Sequence, residues 1–358
     1  MLKPLLLAAT LLLPGPLLAA DPAAAPAANL APALEAVLET HIQPRHARLA
    51  EASAGLRERA EAFCAAPTAD GLAAVREAYG RAMDGWAGVQ HITIGPAGDF
   101  ERRFRMQFWP DDRNVLGREL ARLLEEQPQD ILKPHGFTFA SVAIQGLPMV
   151  ETLVFGPRAD ALLAGDAYGC RLLVAVTANV EAIAGELAAG WAKGGDTYGQ
   201  AVYDSASESD LLGDTQDLAS LLITGLSTQL HAIREQKLLP ALGGKGNARA
   251  LENWRSGRSL DTIVSSLEAV REMYATAFLP AVRERDPKFA ALMETAFAQT
   301  LATARSVAPP LREAVVDPQR RKTLSTLMTE LKALRQLAGD RTAKVLGITL
   351  GFNSLDGD

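Results

Sequence analysis

The spacing of apolar residues most constrains what this chain can fold into. Between Leu172 and Trp191 the apolar residues lie 4, 4, 3, 4 and 4 positions apart, which places them on one face of an α-helix. Comparable stripes run over 222–233, 260–278 and 324–338. The alternation typical of β-strands is almost absent, and Ala and Leu are abundant. We therefore predict an all-α fold, with earlier helices over 34–63, 70–89, 115–126 and 137–155.

About eight long helices exceed one ordinary bundle, so we predict two helical bundles, over 34–195 and 205–350. The boundary is placed in the glycine-rich polar stretch from Lys193 to Asp210. The repeated tetrapeptide LEAV at Leu34 and Leu267 is a weak internal echo that agrees with two units. Residues 351–358 form a short tail.

The N-terminus has the pattern of a secretory signal peptide. Lys3 precedes a 14-residue apolar run from Leu5 to Leu18, and small residues follow it. We expect a signal peptide over 1–20, cleavage before Asp21, a flexible mature N-terminus over 21–33 and a periplasmic location. An uncleaved anchor is the alternative. No later apolar run reaches 18 residues, so no transmembrane segment is expected in the mature chain.

The net charge limits the possible partners, and the cysteine content bears on whether the protein is exported. The net charge is −6 and the basic residues are dispersed, which argues against nucleic acid as a partner. The two cysteines, Cys64 and Cys170, suggest one disulfide in an exported protein. Two separate buried thiols are the alternative.

Several uncommon stretches together resemble the imelysin-like family of exported bacterial proteins. They are FWPDDRN from Phe108, SVAIQGLPMVETLVFG from Ser141 and ITLGFNSLDGD from Ile348, and VQHITIGP from Val89 also fits. The resemblance covers nearly the whole mature chain. It implies a fold of two helical bundles, export to the envelope and a link to iron acquisition. The resemblance also implies the suspected peptidase activity for which the family was named.

The family's metal motif is Gly-x-His-x-x-Glu, which aligns here with Gly146, Pro148 and Glu151. Proline replaces the histidine and offers no ligand atom, so Glu151 alone cannot make a tight transition-metal site. Proline also interrupts a helix, so we expect a kink at this point, eased by Gly146. Gln145 is expected to bond the backbone groups that the kink frees, or to contact a ligand.

Glu151 sits in an apolar segment and therefore needs a partner if it is ionised. We predict an ion pair with one of the nearby arginines; the candidates are Arg102, Arg103, Arg105 and Arg113. The alternatives are a residual metal or ligand site, or exposure to solvent. His91, at the end of a predicted helix, is the best single imidazole to share a metal with Glu151.

Other histidines are weaker metal-ligand candidates. His41 and His46 are five residues apart and should point to different sides of a helix. His231 and Glu235 share a face, but such a pair is more often a surface contact than a ligand pair.

The FWPDDRN stretch reads as an aromatic plug followed by a helix start near Asn114, with Asp111 or Asp112 as the cap. The functional alternative is a pocket lined by Trp109, Asp111 and Arg113. We expect this stretch, His91 and Glu151 to meet in a cleft between the bundles, with Arg113 as the first candidate partner of Glu151.

Taken together, these patterns favour a non-enzymatic periplasmic component of iron or metal uptake, or an envelope ligand-binding module. The alternative is a metal-dependent peptidase of the imelysin type. The expected cofactor is at most a weakly bound divalent metal or iron, and the expected partners are envelope metal-uptake proteins. The tail contains Asn353, Asp356 and Asp358, which suggest a calcium loop only faintly; a structural turn is the alternative.

Overall fold

The computed structural model describes residues 28–351, and over that range the chain is helical and contains no β-strand. The all-α prediction is confirmed. The helices of the first half are α1 Ala31–Val37, α2 Gln43–Ala65, α3 Ala69–Ala87, α4 Arg102–Met106, α5 Val115–Glu126, α6 Leu147–Phe155, α7 Arg158–Leu163 and α8 Ala167–Gly190. Those of the second half are α9 Tyr198–Asp204, α10 Thr215–His231, α11 Leu239–Leu242, α12 Ser259–Ala277, α13 Leu279–Arg285, α14 Pro287–Ser306, α15 Leu311–Ala314, α16 Pro318–Gln336 and α17 Thr342–Leu346.

Within residues 28–351, three π-helical segments join neighbouring helices without a loop. Leu38–Ile42 links α1 to α2, Ala232–Leu238 links α10 to α11, and Leu337–Arg341 links α16 to α17. A wide turn of this kind reduces the angle between residues five apart. His41 and His46, which flank the end of the first segment, are both buried. His41 contacts His91 and His46 contacts Trp191, so the two rings have different neighbours, and their placement on different sides of the helix stays a prediction.

The first half is built around α2, which packs against α3 and α8, while α6 also contacts α3 and α8. The predicted apolar stripe of α8 is buried along its whole length, from Leu172 to Leu187. In the second half, α10, α12, α14 and α16 pack against one another. Their predicted stripes are likewise buried, as Leu324, Leu327 and Leu331 of α16 illustrate. Burial of these stripes is the main source of fold stability.

The two halves share one continuous apolar core, which extends from Ala28 to Ile348. Helix α12 of the second half contacts α3 of the first, and α1 also packs on α12. The division into bundles at 195 and 205 stays a prediction. Ordered structure begins earlier than residue 34, since Leu30 is buried and the Ala28 N–H donates to the Leu346 carbonyl at 3.1 Å. The predicted signal peptide and the tail after Gly351 lie outside the described residues.

The predicted kinked helix over 137–155 is wrong. Residues 142–144 form a short 3-10 turn, and α6 begins only at Leu147. Pro148 therefore stands in the first turn of a helix, where a missing backbone N–H leaves no hydrogen bond unmade. It begins the helix instead of bending it.

A disulfide joins Cys64, at the end of α2, to Cys170, in the first turn of α8. Their Cα atoms are 5.4 Å apart, within the range that an unstrained bridge requires. The predicted bridge is confirmed, and it fastens together the two longest helices of the first half.

Helix α8 is the one described helix that is long and apolar enough to cross a membrane by length and composition alone. Its most apolar stretch is 44% buried within the protein, through packing on α2 and α6. The pattern therefore also fits a core helix.

Candidate functional site

A cleft of about 620 Å³ opens where the FWPDDRN stretch, the start of α6 and a segment of the second half come together. We call it the junction cleft. Its walls include, from the first half, Trp109, Asp111, Asp112, Pro148 and Glu151, and from the second half, Asn247, Arg249, Glu252, Asn253, Trp254 and Arg255. Four of the residues predicted for a site therefore line one cavity, namely Trp109, Asp111, Pro148 and Glu151.

Glu151 lies on α6, is only 4% exposed, and binds Ser256 from the second half. One carboxylate oxygen accepts hydrogen bonds from the Ser256 backbone N–H at 2.9 Å and from its hydroxyl at 2.8 Å. Burial raises the pKa of Glu151, while the bonds from Ser256 and the charge of Arg255 act in the opposite direction. The predicted ion pair with an arginine of the 102–113 region is wrong.

Asp111 has a structural task. Its two carboxylate oxygens accept the N–H groups of Val115 at 2.7 Å and Leu116 at 2.9 Å, which are unsatisfied donors in the first turn of α5. The capping prediction is confirmed for Asp111. Arg113 is not among the residues lining the cleft, and no contact joins it to Glu151.

Gln145 and Gly146 hold the chain in position ahead of α6. Gln145 is 1% exposed; it accepts from Arg105 Nε at 2.8 Å and donates to the Ala140 carbonyl at 2.7 Å. It lines a different groove, described below. A Cβ atom at Gly146 would collide with the carbonyl oxygens of Arg105 and Met106, so only glycine fits there.

The second half supplies a wall of the cleft that was not predicted from the sequence. The guanidinium groups of Arg255 and Arg249 lie 4.6 Å and 5.8 Å from the centre of the Trp254 ring. Among the described residues, no carboxylate forms an ion pair with either arginine. The signal available in the sequence is a tryptophan beside arginines in ENWRSGR, just before α12.

A buried polar network lies behind this wall. Glu252 is paired with Lys237 at 2.8 Å, and both side chains are about 5% exposed or less. Gln107 Nε2 donates to Glu252 at 2.6 Å, and Lys237 donates to Gln90 at 2.7 Å. Gln90 in turn donates to Gln107 at 2.7 Å, which closes the network between residues of both halves. The back of the cleft is therefore fixed by fully buried charges.

His91 is not brought to Glu151. It is 1% exposed, its Nε2 lies 2.8 Å from His41 Nε2, and it does not line the junction cleft. Burial lowers the pKa of His91 well below its usual range, with the charge of His41 contributing in the same direction. His41 Nδ1 lies 3.7 Å from Glu272, so the pair belongs to a separate buried cluster.

The other candidate histidine pair is also not a ligand pair. His231 Nδ1 contacts Arg335 at 3.4 Å, and Glu235 is paired with Arg234.

The residues present do not fit a tight transition-metal site at the motif. Pro148 has no donor atom, and one oxygen of Glu151 is held by Ser256. Between residues 28 and 351, no group of three or more His, Cys, Asp or Glu side chains is arranged to hold a metal ion. A structural or catalytic zinc ion needs at least three such ligands.

Comparison with known proteins agrees with this architecture. The sequence profile of the family described as Peptidase_M75, imelysin, matches residues 42–338. An imelysin-like protein from Psychrobacter arcticum superposes with a TM-score of 0.75 at 19% identity, covering 91% of this chain and 99% of the other.

A solved structure from Parabacteroides distasonis, of a protein proposed to be an iron-regulated protein A precursor, superposes on this chain with a TM-score of 0.75 at 15% identity. The match covers 92% of this chain and 98% of that protein. No curated protein matches the chain.

Proposed function

Because this chain belongs to the imelysin family, we propose that it is an exported, non-enzymatic protein of the periplasm that binds a ligand for iron or metal uptake in the junction cleft. The observation that carries the proposal is the composition of that cleft. It unites the motif carboxylate Glu151 with two arginines stacked on Trp254, and it does so without an imidazole at position 148.

The cleft chemistry favours iron that is already chelated. A bare ion would need several protein ligands, and the motif supplies one carboxylate that is already hydrogen-bonded. Arg249 and Arg255 instead suit the carboxylate groups of a chelator, and Trp109 and Trp254 supply flat apolar surface. The iron is cargo in this proposal, and a ferric–carboxylate chelate is the ligand.

Export is supported by two features of the chain. Residues 1–20 have the order of a signal peptide, and the Cys64–Cys170 bridge is typical of proteins in an oxidising compartment. The proposed partners are envelope proteins of metal uptake that deliver or receive the chelate.

Titration of the purified mature protein with ferric citrate tests the proposal, with tryptophan fluorescence as the readout. We expect saturable quenching, with iron-free citrate binding more weakly. Arg255→Gln should weaken binding at least tenfold, which corresponds to about 1.4 kcal/mol. Arg122→Gln, which changes an exposed arginine on α5, is the matched control.

Equal affinity in Arg255→Gln and the unmodified protein would contradict the proposed site. Peptide hydrolysis that a chelator abolishes and zinc restores would instead favour the metallopeptidase.

A further inference from the structure

A second and larger hollow lies on the outer side of α8, away from the junction cleft. Its volume is about 1,420 Å³. The floor is the outward face of α8, and the walls come from the 128–145 region, including Leu132, Phe137 and Val142. We call it the α8 groove. None of the residues that line it also lines the junction cleft.

The floor is an apolar helix face that the fold leaves partly uncovered. Val174, Ala175 and Ala178 are half-buried, and Ala182 is exposed. They recur at helical spacing, so they form one stripe. The groove follows α8 from Ala167 to Glu186, roughly 28 Å at 1.5 Å per residue, and the stripe from Val174 to Ala182 covers roughly 12 Å of that length. A stripe of small apolar side chains leaves room above it for a long, narrow, apolar ligand.

Two fully or largely exposed aromatic rings stand at the lip of the groove. Phe139 is 99% exposed and Phe100 is 77% exposed. Phe104, 55% exposed, lies on α4 close by in the chain. Apolar side chains of this size gather at binding surfaces more than on an ordinary monomer surface.

The charges of the groove are unbalanced. Arg105 binds Gln145 at 2.8 Å and Arg171 binds Gln129 at 2.9 Å, both neutral partners, and no described carboxylate pairs with either. The other cations of the groove are already paired with acids, as Arg102 is with Glu186. Glu101 is the one unpaired acid among the lining residues, so the two guanidinium groups that lack an acidic partner leave the groove with an excess of positive charge.

We propose that the α8 groove binds a single-chain anionic lipid, with its acyl chain along α8 and its carboxylate at Arg105 or Arg171. The apolar stripe removes the methylene groups of the acyl chain from water, which favours binding. The arginine supplies the charge-assisted bonds to the head group.

The shape of the groove favours such a ligand over a bilayer or a peptide. A flat bilayer would reach the lip at Phe139 but not the floor at Ala178. An extended peptide needs backbone partners along its length, and the Ala and Val side chains of the floor offer none. One slender chain with one charged end satisfies both the floor and the arginines.

Calorimetric titration of the mature protein with oleate, below the concentration at which oleate forms micelles, tests the proposal. We expect one saturable site, and much weaker binding of oleyl alcohol, which has the same chain without the charge. Ala178→Trp should fill the groove and reduce affinity at least tenfold. The double variant Arg105→Gln/Arg171→Gln should reduce affinity for oleate but not for oleyl alcohol, and an unchanged affinity for oleate would overturn the head-group assignment.

Two further variants separate a loss of oleate binding from a loss of folding. Phe139→Ser changes a fully exposed ring, so it should weaken oleate binding without affecting folding. Leu292→Trp, at an exposed position of α14, is the matched control and should bind oleate normally. Oleate binding that is unchanged in both Ala178→Trp and Phe139→Ser would overturn the proposal. So would binding to anionic vesicles without binding of monomeric oleate.

Discussion

Glu151 and Ser256, 105 positions apart in the chain, are joined by two hydrogen bonds to one carboxylate oxygen, from the serine backbone N–H and from its hydroxyl. They tie the family motif, in the first turns of α6, to the loop that precedes α12. The motif acid thus anchors the second half of the molecule to the first.

The burial of Glu151 predicts a pH dependence of stability opposite to that of most paired acids. Burial raises the pKa of Glu151 above its usual 4.5, so the folded protein holds this proton more tightly than the unfolded chain. Its contribution to the free energy of unfolding is therefore greatest below pH 4.5 and falls as pH rises through the folded pKa. We expect the stability of the unmodified protein relative to Glu151→Gln, measured by urea unfolding, to decline as the pH rises from 4 to 7.

The serine hydroxyl can be tested separately. Ser256→Ala removes one of the two bonds and should lower the free energy of unfolding at pH 7 by about 1–3 kcal/mol. The loss should shrink at pH 4, where the acid is protonated. Ser325→Ala, on the exposed face of α16, is the control, and an equal loss there would count against a special role for the buried contact.

Pro148→His should create weak metal binding. Positions 148 and 151 share a helix face and both line the junction cleft, so an imidazole there would stand beside the carboxylate. We expect at least tenfold tighter zinc binding by calorimetry, about 1.4 kcal/mol, than in the unmodified protein. Pro148→Ala controls for loss of the ring, and the gain should vanish in Pro148→His/Glu151→Gln.

The disulfide should contribute strongly to stability. Closing a loop of 106 residues is worth roughly 4–5 kcal/mol in the chain-entropy model. The free energy of unfolding of Cys64→Ser/Cys170→Ser, measured with urea, should therefore be lower by a matching amount. Peptide mapping without reductant should show one linked pair in the unmodified protein; two freely alkylated thiols would contradict the bridge.

The buried ion pair at the back of the cleft predicts strong coupling. Lys237→Met leaves the Glu252 carboxylate buried without its cation and should cost about 3–5 kcal/mol. Adding Glu252→Gln should recover part of that loss, since the amide can still accept from Gln107. A double-mutant cycle measures the coupling, and strictly additive losses would show that the pair does not interact.

The buried histidines predict acid sensitivity. Burial lowers the pKa of His46 from 6.5 to about 4 and also lowers those of His41 and His91. The unfolded chain therefore binds more protons below pH 6.5, and stability should be lost as pH falls from about 6.5 to 4. His46→Gln should flatten this dependence, while His135→Gln, on an exposed turn, should leave it unchanged.

The local sequence pattern predicted the bounds of a helix correctly where a single physical cause determined them. Helix α5 has the predicted bounds because its apolar stripe and its cap at Asp111 both act within a few residues. Helix α6 does not, because proline can begin a helix or bend one. The extended backbone at Gly146, which decides between the two, leaves no mark in residue spacing.

The cleft was predictable only from one side. Trp109 and Glu151 do meet in it, but its second wall depends on how α12 packs against α3, which no local pattern reports. The partner of Glu151 is for the same reason Ser256 and not Arg113. The prediction for His91 rested on its place after a helix, and its burial against His41 keeps it out of the cleft.

The packing at Gly146 shows that two residues of one motif are required for structural reasons. The glycine is required because two carbonyl oxygens occupy the space of a side chain, and the glutamate is required because it anchors a distant loop. Neither requirement involves the residue at 148. Both residues therefore have an assembly role in this chain that does not depend on which side chain stands at position 148.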